Sequence, residues 1–113
     1  MTTIATIDSA TAQVDAAGAL LAILTAHPNL PAPDVRLASM KVPGTHDWTW
    51  GLNIALHSRL DQFEQWRAAL GLDPAGVEHL QHGTTAWLTV TGTHSGAPVV
   101  LYGYYDLRSD AER

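Results

Sequence analysis

The stretch WTWGLNIAL, residues 48–56, holds the strictest alternation in the chain. Trp48, Trp50, Leu52, Ile54 and Leu56 fall on one face. Thr49, Gly51, Asn53, Ala55 and then His57 fall on the other. A period of two over this length specifies a β-strand with one side turned to a core. Residues 35–42 have the same strand-like character, and Pro43 and Gly44 supply turn chemistry between the two runs. The pair therefore reads as a hairpin.

Working outward, each side of the hairpin is joined to a helix. Upstream, Asp8 or Ser9 can cap a helix that runs to His27, where HPNLPAP stops it with three prolines. Val14, Ala17, Leu20, Leu21 and Leu24 recur at helical spacing and are expected to form its buried stripe. Downstream, SRLDQFEQWRAALG reads as a second helix. Ser58 with Asp61 resembles a capping box, and Gly71 is placed for a left-handed C-terminal cap. Leu60, Phe63, Trp66 or Arg67, and Leu70 give its stripe. Trp48, Trp50 and Trp66 are accordingly expected in the core.

A short strand over residues 77–82 precedes a last hairpin that pairs AWLTVTG with APVVLYGYY. If Gly92 lies opposite Ala97, Val90 meets Val99, Leu88 meets Leu101 and Trp87 meets Tyr102. Leu88, Val90, Val99 and Leu101 make one face; Trp87, Thr89, Val100, Tyr102 and Tyr104 make the other. Neither face is polar in the manner of a solvent-exposed strand, so both need cover. The expected fold is a single α+β domain over residues 1–113, in the order α-β-β-α-β-β-β. One mainly antiparallel sheet of about five strands packs with two helices. Residues 1–7 read as a loose arm or short edge strand, and 106–113 as a polar tail.

Composition narrows the function. The 113 residues carry a net charge of −5, and the single Lys41 and five arginines are scattered. Nucleic-acid binding needs clustered cations to neutralise phosphates, so no nucleic-acid partner is expected. The chain has no cysteine, which removes disulfides, thiolate metal sites and thiol catalysis together. The apolar run at residues 16–26 follows Asp8 and Asp15 rather than basic residues, and it is too short to span a bilayer. A cytoplasmic protein with no membrane partner is the expectation.

Six histidines invite a metal or catalytic hypothesis. His79-x-x-His82 lies on a predicted strand, where positions three apart point to opposite faces, unlike ligands one helical turn apart. His46, Asp47 and His94 lie at hairpin tips. No set of three ligands is visible, so no metal is expected. GTHSG, residues 92–96, lacks the central serine and the strand-to-helix context of a nucleophile elbow. Neither glycine-rich phosphate-loop pattern occurs, and no catalytic residue and no cofactor can be named.

The succession of HPNLPAP, the strand pair, HSRLDQFEQWRAALG and WLTVTGTHSGAPVVLYG resembles a group of small uncharacterised α+β proteins of high-GC actinobacteria. These occur in chromosomes, phages and integrative elements. The likeness spans roughly residues 20–105 and rests on hydrophobic spacing, the tryptophan-bearing helix ending in LG, and the G-x-x-x-G-x-P-V hairpin. The resemblance implies a one-domain architecture and an origin in a high-GC actinobacterium, its phages or its integrative elements; it brings no activity, cofactor or site residue.

The functional expectation is a non-enzymatic accessory protein that binds protein. The simplest form is a homodimer through Trp87, Val100, Tyr102 and Tyr104, and a host or phage protein is the other kind of partner. A small-ligand-binding domain or enzyme, with aromatic pocket walls and polar contacts from His46, Asp47 and His94, is the alternative. A third arrangement needs no partner: the two helices would cover opposite faces of the sheet.

Overall fold

A computed structural model describes residues 9–42, 44–57 and 60–106. A 3₁₀ turn at Ala10–Gln13 leads into α1 (Val14–Ala26), then β1 (Asp34–Lys41), β2 (Trp48–His57) and α2 (Leu60–Ala69). A second 3₁₀ turn at Pro74–Gly76 introduces β3 (Glu78–His82), β4 (Thr85–His94) and β5 (Ala97–Asp106). This is the expected α+β order. The arm expected over 1–7, together with Asp8, Pro43 and Ser58, lies outside the described residues; of the tail expected over 106–113, Asp106 is instead the last residue of β5 and the rest lies outside the described residues.

The five strands form one sheet in the order β1-β2-β5-β4-β3. Three ladders are antiparallel; the fourth, β2 beside β5, is parallel. Parallel neighbours cannot be joined by a hairpin, and here α2 and the β3–β4 hairpin lie between them in sequence.

Leu52 and Ile54 of β2 pair with Val99 and Leu101 of β5 across this seam. Both helices cover that one face. Ala16, Ala19 and Ile23 of α1, with Phe63 and Trp66 of α2 and Leu70 just beyond it, join those strand residues in a single buried cluster. The arrangement with helices on opposite faces is therefore not adopted. The physical reason lies in β2, whose other face presents Asn53 and His57; a helix there would strip water from both.

In α1 the buried stripe is Ala16, Ala19 and Ile23, with Leu20 half-buried, rather than the one expected. Val14 and Leu21 are 61% and 69% exposed, and Leu24 also faces outward. The helix is apolar almost all round, so two stripes satisfy the same period. The one with small side chains lets the backbone approach the sheet closely. Burying Ile23 contributes about 1.5–3 kcal/mol by transfer from water.

Of the stripe expected in α2, Phe63, Trp66 and Leu70 are buried, while Leu60 in the first turn is 39% exposed. Gly71 adopts φ +70°, and its N–H donates to the Ala68 carbonyl while Leu72 N–H donates to Arg67. That is the Schellman arrangement that glycine after a helix permits. Arg67 also donates from Nη1 to the Leu72 carbonyl at 2.5 Å and makes a paired contact with Glu64. The guanidinium holds the Glu64 carboxyl below its ordinary range, chiefly through that hydrogen bond.

Two further expectations need correction. Trp48 is 59% exposed, because it sits at the first position of β2, beyond the reach of either helix; Trp50 is half-buried and Trp66 fully buried. In the last hairpin, Gly92 pairs with Val99, Val90 with Leu101 and Trp87 with Tyr104. The ladder runs on to His94 and Ala97, closed by a two-residue turn with Ser95 at φ 52° and Gly96 at φ 83°. Two positive-φ residues match the twist of a hairpin better than the longer loop implied by pairing Gly92 with Ala97. The shift is by two residues, so every side chain stays on its expected face.

Candidate functional site

The face of the sheet opposite the helices is covered by no described element. Its centre is built from alternate residues of the three middle strands. β2 contributes Asn53, Ala55 and His57, which lie beside Val100, Tyr102 and Tyr104 of β5. On the far side of β5, the register places Thr91 beside Val100, Thr89 beside Tyr102 and Trp87 beside Tyr104. The four expected interface residues, Trp87, Val100, Tyr102 and Tyr104, are thus brought together on one surface. All four are half-buried, shielded by one another and by neighbouring strands.

Tyr104 is the hub of an aromatic cluster. Its ring lies 5.3 Å from His57 with planes 10° apart, and 5.8 Å from Tyr102 with planes 17° apart. Trp87 approaches it at 6.0 Å, tilted by 39°. Contacts of this kind add about 0.5–1.5 kcal/mol each beyond area burial. Partial burial pushes the Tyr104 hydroxyl above the ordinary phenol range, and neighbouring Tyr102 adds to the effect; Arg36 opposes it.

Charge is confined to the margins. Through residues 49–57, 85–93 and 98–104, the middle strands carry no Asp, Glu, Lys or Arg on this face. Asp34 and Arg36 lie on β1 at one edge, and Glu78 lies on β3 at the other. Asp34 Oδ2 stands 3.8 Å from His57 Nε2, with both side chains more than half exposed. With Arg36, Asn53 and Tyr104 they line a shallow depression of about 180 Å³. This flanking group escaped the sequence reading. His57 was visible on the polar side of β2, but its neighbour Tyr104 depends on a parallel pairing that no local signal encodes.

The opposite end of the same face is built from small residues. Ala38 pairs with Gly51, and Gly51 lies against Pro98. A Cβ on Gly51 would fall 2.5 Å from the Pro98 carbonyl oxygen and 2.8 Å from Met40 Sδ, so only glycine fits. A depression of about 190 Å³ lies here, with Met40, Thr91, Pro98 and Val100 contributing side chains from the open face.

His46, Asp47 and His94 lie at hairpin tips as expected, and the parallel seam places both tips at one end of the sheet. They do not line either depression. The Asp47 backbone closes the β1–β2 turn, its carbonyl accepting from Val42 N–H and its N–H donating to Thr45 Oγ1. His94 Nδ1 lies 3.2 Å from Ser95 Oγ. No group of three or more His, Asp or Glu side chains suited to a metal occurs among the described residues.

Another concavity, of about 310 Å³, lies between α1 and the proline segment, where Trp66 Nε1 donates to the Pro31 carbonyl at 2.8 Å. Its lining is apolar apart from His27. No described helix is long and apolar enough to cross a membrane. Compared with known proteins, the chain matches no family model, no curated sequence and no solved structure.

Proposed function

We propose that this chain is a small non-enzymatic protein that works by binding protein, in its simplest form a second copy of itself through the open face of the sheet. The observation that carries this reading is the aromatic, charge-free centre of a face that no described element covers. Interfaces have this anatomy: aromatic residues at the core, charged residues at the rim. Five strands about 4.8 Å apart, the longest rising about 33 Å, give the face on the order of 700 Å², close to the ~800 Å² per partner of a standard interface.

The alternative, a small-ligand or enzymatic site, has weaker support. The depression beside His57 holds about 180 Å³, less than the roughly 300–1,000 Å³ of ligand pockets. The hairpin-tip candidates His46, Asp47 and His94 stand away from it. The proline groove is larger but brings one titratable side chain, His27.

The same proposal includes a cytoplasmic setting, which the cysteine-free sequence fits, and an accessory role towards a host protein for a phage or mobile element. The origin rests on the sequence resemblance alone, and the neighbouring genes test it. For the dimer, sedimentation at micromolar concentration is decisive. A species of twice 12.1 kDa is expected, shifting to monomer when Trp87→Ala and Tyr102→Ala are combined. A wild-type monomer sinks the homodimer, and unchanged association of the double variant moves the interface elsewhere.

A further inference from the structure

The open face is not uniform from end to end, and that asymmetry fixes how a second copy would sit. One end carries His57, Trp87, Tyr102 and Tyr104. The other carries smaller side chains, among them Ala38, Gly51, Thr91, Pro98 and Val100, beside a depression of about 190 Å³ lined by Met40, Lys41, Thr91, Pro98 and Val100. Two such faces packed large end on large end would leave a void between the small ends. Protein interfaces fill space as densely as interiors do, and unfilled volume forfeits contact energy.

We infer that the partner is a second copy docked with its strands antiparallel, the aromatic end of each face seated in the small-residue end of the other. The inference rests on the homodimer reading above. Its two-fold axis lies between the sheets, perpendicular to the strands, and crosses β5 between Val100 and Tyr102. That operation sets Tyr104 over Pro98 of the partner subunit, His57 over Gly51 of the partner subunit and Trp87 over Thr93 of the partner subunit. Each contact occurs twice, as a self-complementary interface requires. Gly51 lies beneath Met40 and Pro98, whose convergence its missing side chain permits, and those two side chains wall the receiving depression. The competing two-fold axis, running along β5, would stack Tyr104 on its own copy and set the small-residue end of each face against the small-residue end of the other.

The chain has no cysteine, so Ser95→Cys at the exposed β4–β5 turn gives a single spin-label site outside the interface. In the antiparallel dimer the two turns lie at opposite ends, about 40 Å apart from strand rise and sheet spacing; with the axis along β5 they share one end, under about 25 Å apart. Pulsed dipolar spectroscopy on the labelled protein, sedimented in parallel, separates the cases. A dimer with the long distance bears the inference out. A dimer with a short distance or no measurable coupling overturns the orientation and leaves the homodimer reading standing. A monomer overturns both. Thr45→Cys, at the β1–β2 turn on the same end of the sheet, is an independent label site; that turn reaches further along the strands, so its expected distance is about 50 Å.

Discussion

His57 stacks on Tyr104 across the one parallel ladder of the sheet, ring centroids 5.3 Å apart and planes within 10°. The contact joins the first hairpin to the last strand on the side away from the core. It also places a titratable imidazole and a partly desolvated phenol side by side, flanked by Asp34 and Arg36.

The Tyr104 hydroxyl is raised above its ordinary value by burial and by Tyr102. A raised folded-state pKa means the folded protein holds that proton more tightly than the unfolded chain does. Its contribution to stability is complete below the unfolded tyrosine value of about 10 and is lost as pH rises through the folded value. Ultraviolet titration of tyrosinate should therefore show a late component above pH ~10 that Tyr104→Phe removes. A titration unchanged by Tyr104→Phe would reassign the late component.

Gly103 is the close-approach point between β5 and α2. A Cβ there would sit 2.8 Å from Phe63 Cβ. Neither atom belongs to the flexible end of a side chain, so α2 must shift to admit it. Gly103→Ala is expected to destabilise by about 1–3 kcal/mol, the usual cost of overpacking. Thermal unfolding should show a melting point lower by several degrees. Gly18, whose added Cβ meets nothing within 4 Å, is the contrasting position, where Gly18→Ala should raise stability by up to about 1 kcal/mol through helix propensity.

How far the sequence reveals this architecture depends on the range of the interaction involved. The alternation in β2, the proline stop after α1 and Gly71 after α2 are local signals, and all three appear where expected. The face assignment of β4 and β5 also follows, because alternation survives a register shift of two. Missing were the features set by partners distant in sequence: the parallel seam, the choice of helix face against the sheet, and the exposure of Trp48. Trp87, Val100, Tyr102 and Tyr104 were legible as one surface because a hairpin joins them. Asp34, Arg36, Asn53 and His57 were not, because β1 and β2 reach that surface only through the parallel pairing.

The two stripes of α1 make a direct comparison. Leu21 points outward and Ile23 is fully buried. Leu21→Glu should change stability by no more than about 0.5 kcal/mol, as for other exposed positions. Ile23→Ala should cost about 2–5 kcal/mol through lost burial and the cavity left behind. Chemical denaturation of both variants checks the assignment, and the reverse ranking would return the buried stripe to Val14, Ala17, Leu20, Leu21 and Leu24.

Trp66 ties α2 to the proline segment as well as to the core. Its ring is buried, and its Nε1 donates to the Pro31 carbonyl at 2.8 Å. The ring also meets His27 edge-on, with centroids 6.0 Å apart. Trp66→Phe keeps an aromatic ring but removes the donor and leaves part of the volume empty. The lost hydrogen bond accounts for about 0.5–1.5 kcal/mol, and the unfilled space adds to it. Because the hydrogen bond holds the segment between α1 and β1, the variant should also exchange backbone amide hydrogen faster around residues 27–30. Amide exchange that stays unchanged there, with stability lost elsewhere, would mean that packing alone holds the proline segment in place.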